Sequence, residues 1–235
     1  MKRIRIIGLC LFAAAAVSGL ASAAAPAAEP VFLTKTVVQE GVHIPLTATL
    51  GAAFLEGENE SKITCTGGTG TAEITGPKTS KKAITTFSGC ETNGFKCQSG
   101  ATEGVIVTNP LEGHLGAISA TLPGERLWHE GAKGTELAVF SCASGSIAVK
   151  VKGSLIGSLS GAAGSNAETG KLLASGKLTF AEAKGKQKYC KFVEGETQCE
   201  QLEASVGGKP FEKSGQSVIA TLKTVPATWG LGVTK

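Results

Sequence analysis

Ile147-Ala148-Val149-Lys150-Val151-Lys152-Gly153-Ser154-Leu155 is the stretch whose reading decides the fold. Ile147, Val149 and Val151 alternate with Ala148, Lys150 and Lys152, so one row of side chains points inward and the other toward water. That period of two marks a half-buried antiparallel strand. Lys177-Leu178-Thr179-Phe180 and Val218-Ile219-Ala220-Thr221-Leu222 repeat it. Gly104-Val105-Ile106-Val107-Thr108 is apolar on both faces, which predicts a central strand. Residues 82–87, 137–142 and 187–192 read as further strands, and 31–38, 45–50, 63–66 and 71–75 as weaker ones toward the amino end.

Outward from these segments the pattern persists: short β-branched runs, spaced about 8 to 12 residues apart and separated by Gly, Pro, Asn and Ser. Such spacing predicts an all-β fold, an antiparallel β-sandwich or partly open barrel, rather than βαβ units. Residues 158–166, Ser-Leu-Ser-Gly-Ala-Ala-Gly-Ser-Asn, are small and polar. They read as a loop, with an interdomain seam as the alternative, and residues 31–235 as a single β domain. No fixed-period repeat supports a solenoid or propeller.

Met1-Lys2-Arg3-Ile4-Arg5 carries three positive charges ahead of the apolar run 6–21, and Ala21-Ser22-Ala23 supplies small residues suited to signal peptidase. Residues 1–23 therefore read as a cleaved signal helix, too short for a membrane span of about 20 apolar residues. Leu9 stands before Cys10 where a lipid-anchor motif wants a small residue, so a released protein is expected. Residues 24–30, rich in Ala and Pro, read as a flexible lead.

Beyond residue 23 lie Cys65, Cys90, Cys97, Cys142, Cys190 and Cys199. An even number after a secretory segment implies three bridges in an oxidising compartment, although spacing leaves about 15 connectivities open. Local geometry favours Cys90 with Cys97 across an Asn93-Gly94 turn, and Cys190 with Cys199 across Glu194-Gly195-Glu196. Cys65 and Cys142 are left as a long-range staple.

Without Lys2, Arg3 and Arg5, 20 basic residues face 19 acidic ones, and no basic stripe points to nucleic acid. Every acidic residue is Glu. The absence of Asp removes Asp-rich calcium loops, aspartic dyads and Asp-supported triads. Three histidines, His43, His114 and His129, have no H-x-H or H-x-x-E-H spacing, so no metal nucleus and no cofactor is predicted. In Gly157-Ser158-Leu159-Ser160-Gly161, Leu159 occupies the place a nucleophilic serine would need. Residues 164–171 resemble a phosphate-binding loop, but Leu172 replaces the required Ser or Thr. Aromatic residues make up 5% of the chain, too few for the girdles of an outer-membrane barrel.

Trp128-His129-Glu130 is the candidate binding cluster, an aromatic platform beside an imidazole and a carboxylate. Pro123-Gly124 and Gly131-Ala132-Lys133-Gly134 flank it, which predicts a loop tip. Solvent-facing pairs of this kind are more often merely hydrated than ligand-binding.

Three blocks carry a resemblance: Cys65-Thr66-Gly67-Gly68-Thr69-Gly70-Thr71-Ala72-Glu73-Ile74-Thr75-Gly76-Pro77-Lys78, Phe87-Ser88-Gly89-Cys90-Glu91, and Gly104-Val105-Ile106-Val107-Thr108-Asn109-Pro110-Leu111-Glu112-Gly113. Together they resemble a group of uncharacterised exported proteins of soil actinobacteria, most clearly between Cys65 and Cys142. Gly208-Lys209-Pro210-Phe211-Glu212 with Ser214-Gly215 is also similar. The resemblance implies an exported β protein and brings no catalytic residue with it. As scaffold, Gly67, Gly68 and Gly70 would permit a tight turn, Gly76-Pro77 would end one strand and Thr108-Asn109-Pro110 another.

The expectation is an exported, non-enzymatic structural or binding protein of the envelope or medium. The alternative is a secreted hydrolase whose Ser, His and Glu converge only in space. A third reading, a small-ligand carrier, would show itself as a closed sheet around an apolar pocket.

Overall fold

The computed structural model describes residues 29–34, 36–132, 134–161, 175–193, 198–225 and 232–233. The predicted signal helix and residues 24–28 of the lead lie outside them. The described strands, in chain order, are β1 (Phe32–Leu33), β2 (Ile44–Leu50), β3 (Ala53–Gly57), β4 (Lys62–Cys65), β5 (Gly67–Ile74), β6 (Thr79–Ser88), β7 (Glu91–Thr92), β8 (Phe95–Gln98), β9 (Val105–Val107) and β10 (Leu111–Ser119). They continue with β11 (Leu122–His129), β12 (Glu136–Cys142), β13 (Ile147–Gly161), β14 (Gly176–Phe180), β15 (Glu182–Ala183), β16 (Lys186–Gln187), β17 (Leu202–Val206), β18 (Glu212–Thr224) and β19 (Gly232–Val233). No helix is long and apolar enough to cross a membrane among the described residues.

The alternating stretch that opens the sequence reading is the first half of β13, and β13 and β18 organise the molecule because each changes partners midway. Residues 154–161 of β13 pair with β11 and β14, β14 pairs with β18, and the ladder continues through β2, β5, β6 and β10 back to β11. Residues 147–153 of β13 pair with β12 and β17, and from β17 the ladder runs through β18, β3, β4, β7 and β8 back to β12. Both circuits are antiparallel and closed, and they share the two long strands. Closure removes the unpaired backbone edges that an open sheet would present.

The exchange of partners in β13 falls at Gly153, whose φ is +99° and whose Cβ, if present, would stand 2.2 Å from the Gln201 carbonyl oxygen. A side chain cannot occupy that position without displacing backbone, so the glycine is what lets one strand serve both circuits. Alternation then sorts the side chains. Val149, Val151, Leu155 and Leu159 join the central apolar core, while Lys150 and Lys152 face water.

Several expectations change. Gly67, Gly68 and Gly70 form the start of β5 rather than a turn, because β6 lies so close that a Cβ on Gly68 would meet the Thr86 carbonyl oxygen at 2.3 Å. The apolar run at 104–108 contributes β9, which pairs only with β6 among the described residues and leaves Val107 exposed, so it is not a central strand. Residues 188–192 are not a strand: past β16 the chain leaves the sheet and lies across its outer surface. Of the predicted loop at 158–166, residues 158–161 extend β13 and the remainder lies outside the described residues. Pro30 is buried and Glu29 pairs with Lys78, so the end of the expected flexible lead is docked.

The disulfides are Cys65–Cys90, Cys97–Cys142 and Cys190–Cys199. The third agrees with the sequence reading; the pairings Cys90 with Cys97 and Cys65 with Cys142 are corrected. The predicted Asn93-Gly94 turn does form, with φ of +49° and +82°, and it sets Cys90 opposite Cys97. There, however, the Cys97 amide donates to the Cys90 carbonyl, and hydrogen-bonded cross-strand positions hold their Cα atoms farther apart than non-hydrogen-bonded ones. Each cysteine instead joins the strand on its outer side, at Cα–Cα distances of 4.0 Å in both cases. On the chain-entropy model, loops of 25 and 45 residues correspond to stabilisation of roughly 3 to 4 kcal/mol each.

Candidate functional site

The inward rows of the two circuits do not fill the interior. A cavity of about 150 Å³ remains, walled by Leu46, Leu111, Leu127, Phe140, Leu178 and Val218 among others. Its wall is apolar save for a few hydroxyls, one amide and a single ionisable side chain, Glu125.

Glu125 sits midway along β11, opposite Leu115 of β10 and Gly157 of β13. Alternation sends Glu125 and Leu127 inward and Arg126 and Trp128 outward. Glu125 is only 5% exposed, and its Oε1 accepts a hydrogen bond from the Ser80 hydroxyl of β6 at 2.5 Å. The two side chains meet over Gly113 of β10, where a Cβ would stand 2.3 Å from Ser80 Oγ and 2.4 Å from Glu125 Oε1. Oε2 has no hydrogen-bond partner among the described residues. Burial pushes the carboxyl up to about 7, with the Ser80 hydrogen bond pulling the other way. Desolvation wins because no cation lines the cavity among the described residues.

The outer face of the same strands is covered by residues 188–193 and 198–201, cross-linked by Cys190–Cys199. Phe192 lies against Gly116 and beneath the Arg126 guanidinium, 5.0 Å from ring centre to Cζ. The Val193 amide donates to the Ala117 carbonyl at 2.8 Å. Glu200 accepts from Ser154 Oγ at 3.2 Å and stands 3.9 Å from Arg126 Nη1. Arg126 is therefore buried on the outside of the wall whose inside carries Glu125, and Ile156, fully buried, completes that outer patch.

Trp128, His129 and Glu130 do not form the expected loop-tip cluster. Trp128 and His129 belong to β11 and point to opposite faces, and only Glu130 occupies the turn. Trp128 Nε1 donates to Glu112 Oε1 at 2.6 Å on the outer face. His129 Nδ1 is buried without a hydrogen-bond partner among the described residues. Glu130 Oε2 accepts from the Lys82 backbone amide at 3.1 Å. Trp128 and Glu130 are thus held by separate partners, Glu112 and the Lys82 amide.

Of the other histidines, His43 lies on the surface with Nδ1 3.1 Å from Glu73 Oε2, and Lys82 Nζ meets the same oxygen at 3.1 Å. The hydrogen bond from His43, followed by that from Lys82, lowers the Glu73 carboxyl below its ordinary value. His114 lies on β10 between Gly113 and Leu115, on the face opposite the cavity. No histidine hydrogen-bonds to the Ser80–Glu125 pair among the described residues, so this serine and glutamate lack the imidazole that a hydrolytic triad uses. No group of three or more potential metal ligands occurs among the described residues.

Sequence reasoning missed Glu125 and Ser80. The available signal was Leu122-Pro123-Gly124-Glu125-Arg126-Leu127, adjacent opposite charges inside an otherwise uncharged run. A charge run usually reads as a solvated face, and here both side chains are buried, one on each side of the sheet. No family model, curated protein or solved structure matches the chain.

Proposed function

We propose that this is an exported, non-enzymatic binding protein that holds a small apolar ligand inside its closed sheet. The observation that carries this reading is the interior cavity of about 150 Å³ with a mostly apolar wall. An apolar cavity of about that size accepts a molecule of benzene dimensions, whereas drug-sized ligands need about 300 Å³ or more. Export is supported by the bridges, which persist in oxidising compartments, and by the basic-then-apolar amino terminus. The closed circuits and staples supply a rigid frame, which limits the ordering cost of binding.

The test uses the oxidised protein lacking residues 1–23, titrated with toluene while the methyl resonances of Leu178, Val218 and Leu222 are followed by NMR. The expected result is a saturable shift confined to cavity methyls, with a rise in thermal midpoint that tracks occupancy. Absence of any saturable change at these methyls refutes the reading.

A further inference from the structure

Resting on that binding reading, we propose that the ligand is a small uncharged molecule with an apolar body and one hydrogen-bond-accepting oxygen, held by the Glu125 carboxyl group as donor. In a wall of aliphatic and aromatic side chains, Glu125 and Ser80 form the one carboxyl–hydroxyl pair, and Glu125 is buried. Oε1 is engaged by Ser80, which leaves the second carboxyl oxygen as the group a ligand would meet. A ligand oxygen that accepts from this group adds a hydrogen bond inside the apolar wall, where such a bond counts for more than in water.

The surroundings fix the sign of charge the site tolerates. On β10, Gly113 and Leu115 share the inner face while Glu112 and His114 lie on the other. On β6, Ser80 is followed by Lys81 and Lys82, both exposed. On β13 the inward residues are Leu155 and Gly157, and on the far wall Leu178 and Phe180. On β11 itself Arg126 faces outward, and His129, four residues along on the inner side, is absent from the cavity lining. No lining side chain is cationic, so an anionic ligand would be desolvated against nothing that compensates it. An ammonium ligand would require Glu125 to ionise, placing two charges rather than none in the apolar wall, at several kcal/mol per ion. A neutral acceptor needs only the protonated carboxyl, the form toward which burial shifts Glu125.

The probes are cyclohexanone and its hydrocarbon isostere methylenecyclohexane, measured on the wild type, Glu125→Gln and Glu125→Leu at pH 5 and pH 9. The readout is the ratio of the two dissociation constants, hydrocarbon over ketone, which cancels the general cost of entering the cavity. In the wild type this ratio is expected to be roughly 10-fold larger at pH 5, where the carboxyl donates, than at pH 9. Glu125→Gln retains an N–H donor and holds the high ratio at both pH values, and Glu125→Leu holds the low ratio at both. A ratio indifferent to pH and to both substitutions, with both probes still bound, overturns the assignment of the ligand head and leaves the cavity reading standing. Failure of both probes to bind overturns both.

Discussion

Replacing Glu125 by Gln isolates the energetic consequence of burying one carboxyl group in the wall. The folded protein holds that proton up to about pH 7, whereas the unfolded chain releases it near the ordinary value of 4.5. Between those two values the folded state binds more protons than the unfolded one, so stability falls as pH rises, and above 7 the loss is complete. The difference between the two values corresponds to roughly 3 kcal/mol. Glutamine keeps the shape and the acceptor for Ser80 but cannot ionise. The variant should match the wild type at pH 4.5 and exceed its unfolding free energy by roughly 3 kcal/mol at pH 8, with the gap opening between. Urea unfolding of the two oxidised proteins at pH 4.5, 6 and 8 measures this directly. The surface Glu73 has a lowered carboxyl and stabilises above its unfolded value, losing that contribution as pH falls. It does so in both proteins, so it cancels in their difference. Curves for variant and wild type that stay parallel across the range would refute the reasoning, because Glu125 would then be solvated and ionised in the folded state.

Non-reducing digestion and mass spectrometry should recover peptides joining Cys65 to Cys90 and Cys97 to Cys142, and none joining Cys90 to Cys97. Phe192→Ala should cost about 3 kcal/mol in unfolding free energy, since Phe192 is buried against Gly116 and Arg126. It should also accelerate amide hydrogen exchange at Val193. Gly153→Ala should cost roughly 2 to 3 kcal/mol by calorimetry, because the added Cβ at positive φ meets the Gln201 carbonyl. An alanine there that leaves the thermal midpoint unchanged would contradict the exchange of strand partners at that residue.

The all-β class was legible because alternation is a local property of the chain. Ile147, Val149 and Val151 had to face one way and Lys150 and Lys152 the other whatever neighbours they acquired, and they do. The Asn93-Gly94 turn and the Cys190–Cys199 bridge were legible for the same reason: a few residues of backbone geometry suffice to specify them. The candidate site was not legible. Trp128, His129 and Glu130 adjoin in sequence, but a pleated strand sends neighbours to opposite faces, so adjacency did not become proximity. Ser80 and Glu125 stand 45 residues apart and meet only because β6 and β11 flank β10 in a closed circuit.

The amino-acid sequence by itself thus determined the all-β class, several of the strands with their inward and outward faces, and the supply of cysteines available for bridging, while β10 and β11, which carry the site, went unread. Tertiary structure decided which strand lies beside which. With that it decided how four of the cysteines pair, that the sheet closes around a cavity, and that one glutamate faces the cavity with a serine. Lateral pairing joins segments distant in the chain, and register is set by the burial of whole faces rather than by any short run of residues.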